Sequence, residues 1–247
     1  MIDINLQAEY VLEIFGLSVT NTFLTTVIAS LLLIFAALLF KVLYKSDVNK
    51  NVFVKGWHIV IYELLKLADA ITGDRKLSRR LLPLMATLFL FIFTTNLIAL
   101  LPGFLGSLYV VVGEDYLSLF RSPNSDLTTT TALALIAVFS IQYFSIKTLG
   151  FVSYVKRFLN FTGILPFILG LFEALSELLR ALSFSFRLFG NVFAGEVLLI
   201  VIAFLVPYIL PVPFMVLEVF VSVIQAFIFC ILTLTFIRLS VQSDLRG

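Results

Sequence analysis

Of the 247 residues, 61% are hydrophobic and 13% charged, with a net charge of +2 and a mean hydropathy of +1.11. Soluble domains carry about 25% charged residues, so this composition excludes a soluble globular protein and marks one that crosses a membrane several times. The small net charge, with no basic patch interleaved with aromatics, excludes nucleic acid as a partner.

The acidic opening, MIDINLQAEYVLEIFG, has no basic n-region, so insertion is expected to begin with the first span rather than a cleaved signal peptide. That span covers about 20–44 and closes at Lys41 and Lys45, near the ~20 residues a helix needs to cross. A polar connection follows at 45–80. Within it Lys55, His58, Tyr62, Lys66 and Asp69 recur at helical spacing among apolar residues, which predicts an amphipathic helix at the membrane surface over about 52–71. Glu63, Asp69 and Asp74 read as solvated.

Further spans are expected at 81–104, 127–146, 166–204 and 212–239. The loop at 105–126 holds Glu114, Asp115 and Asp126, with Arg121 as its only opposing charge. Asp126, in SPNSDLTTTT, reads as an N-cap or first-turn acid of the third span rather than a proton carrier. Asn96, polar at the end of the second, suits either packing or function. Pro83, Pro102, Pro123, Pro166, Pro207, Pro211 and Pro213 all fall near expected element ends, where a missing N–H costs least. No repeat or linker divides residues 1–247, so a single membrane domain is expected: all-α, with five membrane-embedded helices, a surface helix, and the last two long helices as an antiparallel hairpin.

Lys and Arg concentrate in the 45–80 connection, the 147–160 loop and the C-terminal tail, which places the N-terminus outside and the C-terminus in the cytoplasm. Cys230 is the only cysteine, so no internal disulfide can form, and its apolar surroundings read as a small buried hydrophobe. There is no HExxH motif, and the single histidine, His58, lies in the surface segment; no metal and no cofactor are expected.

The fourth span carries charge where charge is expensive: a central Arg costs roughly 2.5–3.5 kcal/mol on insertion scales. At ~100° per residue, Glu173, Glu177, Arg180, Ser183, Arg187 and Asn191 share one narrow helix sector, whereas Glu196 points to nearly the opposite side. On the last helix Glu218, Ser222 and Gln225 share a face. Folding the two helices against each other brings Glu196 and Glu218 to similar depth and Gln225 to the level of Arg187. Helix–helix hydrogen bonding accounts for the Ser and Asn residues, but not for an Arg and several Glu in one bundle. Arg180 can pair with Glu177 or extend to the interface.

The segment FRLFGNVFAGE, with IQAFIFCILT on the next helix, TNLIALLPG on the second span, SPNSDLTTTTALAL on the third and an SIKTLG loop, resembles subunit a of the F-type ATP synthases. The resemblance covers nearly the whole chain beyond the first ~50 residues. It implies a stator subunit of the F0 sector, in a bacterial plasma membrane. Its partners would be a rotating ring of proteolipid c subunits, peripheral-stalk b subunits, the F1 sector through the stalks, and lipid. The ATP chemistry would lie on other subunits.

By the same resemblance Arg187 is the essential arginine that meets the ring carboxylates and separates two half-channels. Glu196, Glu218, Asn191 and Gln225 belong to the outer half-channel, and Glu173, Glu177 and Ser183 to the inner one. Glu218 stands where some relatives have histidine, which leaves open which of Glu196 and Glu218 carries the proton. A guanidinium is permanently charged, so Arg187 can attract a carboxylate without delivering a proton. The alternative from another class is a secondary ion-coupled transporter, which would show related halves and helices broken at the midplane; neither pattern is visible.

Overall fold

In a computed structural model of the protein, the described residues are 10–14, 17–44, 51–100, 109–112, 115–118, 121–158, 163–206 and 209–242. Among them are seven α-helices: α1 (Asn21–Tyr44), α2 (Val52–Thr72), α3 (Arg75–Leu100), α4 (Leu127–Leu149), α5 (Phe151–Phe158), α6 (Ile164–Leu205) and α7 (Pro211–Gln242). Five of them, α1, α3, α4, α6 and α7, are long and apolar enough to cross a membrane. The architecture is that of an all-α polytopic membrane protein.

Two small antiparallel hairpins stand outside the helices, in stretches where the hydrophobic patterning indicates no span. β1 (Tyr10–Ile14) pairs with β2 (Leu17–Thr20), and β3 (Tyr109–Val112) with β4 (Asp115–Ser118). The second pairs YVVV with DYLS in antiparallel register, Val112 facing Asp115.

Leu81, Met85, Leu88, Phe89 and Ile92 of α3 form the core with Leu133, Ala134, Ala137 and Ile141 of α4, Phe184 and Leu188 of α6, and Ala226, Phe229, Leu234 and Ile237 of α7. Ala134, Ala137 and Ala226 are fully buried, as small residues are where membrane helices approach closely. Cys230 is buried in the same core, its thiol donating weakly to the Met85 carbonyl at 3.5 Å. By contrast α1 exposes most of its length: Leu31, Ile34, Phe35, Leu38 and Val42 are all open.

The amphipathic helix lies where the periodicity puts it. In α2, Lys55, His58, Tyr62 and Lys66 are exposed, while Val54, Leu64 and Ala68 are buried. The helix closes on Gly73, whose left-handed φ of 69° suits glycine and lets its N–H reach the Asp69 carbonyl. The corner is locked to α3 by a 2.6 Å hydrogen bond between the Thr72 and Ser78 hydroxyls and by an Asp69–Arg75 ion pair. Arg238 of α7 donates to the Ile71 carbonyl, tying the same corner to the end of the last helix.

The second span begins earlier than its hydrophobicity indicates. Arg75, Lys76, Arg79 and Arg80 form the first turns of α3, and Pro83, expected near a helix end, sits inside the helix. The missing Pro N–H deprives the Arg79 carbonyl of its intrahelical donor; this position is within three turns of the helix start. The Pro83 carbonyl also accepts from Thr87 Oγ1 at 2.9 Å. Four cations at a helix N-terminus oppose the helix dipole.

Candidate functional site

Contacts between α6 and α7 run in opposite directions along the two chains. The Arg180 guanidinium stacks on the Phe236 ring at 4.0 Å, Phe184 packs on Phe229 with centroids 4.9 Å apart, and Gly195 meets Glu218. The helices are therefore antiparallel, in a register that brings Gln225 level with the Arg187–Asn191 turn.

Arg187 lies exposed on the outer face of α6, away from the core into which Phe184 and Leu188 turn. Its Nη2 donates to Ser183 Oγ, one helical turn back, at 3.2 Å. Both residues line a cavity of about 350 Å³ with Ser176, Arg180 and Phe236. Asn191, a turn beyond, is half-buried. Gln225 is buried, and its Nε2 has no acceptor among the described residues. An amide without a partner at that level is costly unless water or another subunit satisfies it.

The other carboxylates separate from this groove. Glu177 turns toward α4, where Gln142 Nε2 donates to it; Tyr154 of α5 donates in turn to Gln142 Oε1. Arg180 stacks its guanidinium on the Phe236 ring. Glu173 is half-buried near the start of the stripe.

Beyond Arg187 along α6, Glu196 and Glu218 gather. The Glu218 carboxylate packs directly on the Gly195 backbone, in the space a Cβ would fill, so it sits one residue from Glu196. Ser222 Oγ donates to the Glu218 carbonyl at 2.8 Å, an i–4 bond that turns the hydroxyl back along α7. Glu196 is engaged elsewhere: Arg121 Nε lies 3.1 and 3.3 Å from its two oxygens. This link joins residues 75 positions apart, which helical phasing could not reveal; the signal available was Arg121 as the single cation of the acidic loop.

The segment C-terminal to Arg121 holds it in place. Pro123–Ser125 form one 3-10 turn that packs against α3, α4 and α6. Asn124 is fully buried, donating to Thr95 Oγ1 at 2.8 Å and Asn96 Oδ1 at 2.7 Å. Asp126 caps α4 by accepting from the Thr128 N–H at 2.9 Å, and Thr22 Oγ1 of α1 donates to it at 3.3 Å. Ser185, unremarkable in the sequence, pairs with Thr131 at 2.8 Å and fastens α6 to α4 on the face opposite Arg187. Among the described residues no group of three or more His, Cys, Asp or Glu is arranged to hold a metal ion.

A profile of the family described as ATP synthase A chain matches residues 23–238. The chain is 37% identical over 171 residues to the ATP synthase subunit a of Moorella thermoacetica, covering 69% of this chain and 68% of that one. It is 36% identical over 174 residues to that of Campylobacter jejuni, covering 70% of each chain. It is 38% identical over 184 residues to ATP synthase subunit a 1 of Syntrophotalea carbinolica, covering 72% of this chain and 68% of that one. The chain belongs to the ATP synthase A chain family.

Proposed function

We propose that this chain is the ion-conducting stator of the F0 sector, with Arg187 as the charge that ring carboxylates meet and that separates two half-channels. The observation that carries the reading is the position of Arg187: a permanent cation held outward on a membrane-length helix by Ser183, rather than buried in the bundle. A passing carboxylate gives that cation its partner. A guanidinium does not release its proton, so it attracts the ring acid yet blocks a direct leak.

Glu196, Glu218, Asn191 and Gln225 would form the outer path, and Glu173, Glu177 and Ser183 the inner one. Each charge crossing the field delivers about 2.3 kcal/mol per 100 mV, which the offset of the two paths turns into ring rotation. ATP chemistry lies on other subunits. The partners are the c-subunit ring, stalk b subunits and, through the stalks, the F1 sector. The setting is a bacterial plasma membrane, with the N-terminus outside and the C-terminus in the cytoplasm. The unbroken course of α6 and α7 gives no support to a secondary transporter, whose midplane site is typically built from interrupted helices.

The test is Arg187→Ala in membranes carrying the assembled complex. ATP-driven proton pumping is expected to vanish while the complex remains present; retained coupled pumping would overturn the proposal.

A further inference from the structure

The two outer acids are adjacent in space but held differently. Arg121 reaches both oxygens of Glu196, and the pair is largely removed from solvent, with side-chain exposures of 11% for Arg121 and 29% for Glu196. Such a charge-assisted contact, one Nε–H shared between the two oxygens, favours the carboxylate form, so proton uptake there competes with the ion pair. Arg121 is braced by the adjoining 3-10 turn, in which Pro123, Asn124 and Ser125 are all buried. Glu218 has no such clamp: among the described residues no cation lies within ion-pair distance of it, and its carboxylate rests on bare backbone at Gly195.

Resting on the half-channel reading above, we propose that the outer carboxylates divide the work: Arg121 is a positioning residue that holds Glu196 as a fixed anion, and Glu218 is the acid that exchanges the proton. In that exchange an external proton forms an O–H bond on a Glu218 oxygen. The bond then breaks as the proton passes to the deprotonated ring carboxylate, which returns Glu218 to its anionic state.

The experiment is a set of variants in the whole complex, read as proton flux through reconstituted vesicles normalised to assembled enzyme. Glu218→Gln is expected to lower flux about tenfold or more, as loss of a positioned proton-transfer group does. Glu196→Gln and Arg121→Gln each leave one partner of the pair unmatched and slow flux less. Combined in one chain they should be no worse than the poorer single variant, because both act through one pair. Arg121→Lys should restore most of the loss. Glu196→Gln matching or exceeding Glu218→Gln, or multiplicative losses in the Arg121/Glu196 double variant, would overturn the division of labour. Arg187→Ala run alongside separates the two levels. If it pumps, the half-channel reading itself fails; if it is inactive and the glutamate order is reversed, only this inference fails.

Discussion

The carboxylate of Glu218 on α7 fills the volume that a side chain on Gly195 of α6 would occupy. The two helices meet here through backbone on one side and an acid on the other, directly next to Glu196. The far end of a flexible side chain lies against the glycine, so an added methyl is met by rotation of Glu218 rather than by separation of the helices. Gly195→Ala should therefore leave the complex assembled while displacing the carboxylate. A misplacement of about 1 Å can cost on the order of a hundredfold in a positioned reaction, and a loss of that order in proton flux is the expected result. Quantifying assembled complex beside the flux checks both halves; normal flux would show that the Glu218 position is not critical.

At Arg187 the shape of the cation matters as well as its charge. Lys offers a compact ammonium on a flexible stem and can deprotonate when desolvated, whereas the guanidinium is planar and permanently charged. Arg187→Lys is expected to assemble normally and to lose coupled pumping by at least about tenfold. Proton pumping and ATP hydrolysis measured on the same vesicles will show whether the loss lies in coupling.

On the other half of α6, Glu177 depends on Gln142, and its Oε1 is buried without a donor among the described residues. Gln142→Leu withdraws the donor to Oε2 and also strands the Tyr154 hydroxyl. Leaving a buried charged group unsatisfied costs roughly 1–3 kcal/mol or more. The substitution should slow flux several-fold, and Gln142→Leu combined with Glu177→Gln should be no worse than the poorer single variant, since both act through one pair. Flux assays on both single variants and the double variant check this.

Asn124 is the keystone of the 3-10 turn, bridging Thr95 and Asn96 from full burial. Asn124→Leu keeps the approximate volume and removes the donor on which Asn96 relies, at an expected cost of about 1–3 kcal/mol. A lowered Tm of the detergent-solubilised complex is the direct measure. Because this turn braces Arg121, a fall in proton flux should accompany the loss of stability.

Length and periodicity carried most of the architecture. The membrane helices announce themselves as apolar runs, and α2 as charges recurring every three or four residues, because both signals are local. The N-cap role of Asp126 was legible for the same reason: a cap acts within one turn. Pro83 misled because proline statistics describe typical positions, whereas α3 keeps one in its interior beside a Thr87 hydroxyl. The polar stripe on α6 was readable as a face, but not which neighbour each residue would meet. Glu177 turns to Gln142, Arg180 to Phe236 and Glu196 to Arg121, and each choice depends on packing between distant segments. A lone arginine in an acidic loop carries no periodicity to mark its destination.

The unbroken course of α6 has a further consequence. Forty-two residues extend about 60 Å, roughly twice the ~30 Å hydrocarbon core of a bilayer. Large apolar side chains are exposed at both ends, Leu165, Leu169 and Phe172 at one and Phe204 and Leu205 at the other, so neither end is suited to water. Keeping the whole length in hydrocarbon would require the axis to lean far from the membrane normal. Glu173 and Glu196, about 35 Å apart along such an axis, are then offset across the membrane plane as well as in depth. One inclined rod thereby spreads its acids sideways as well as in depth.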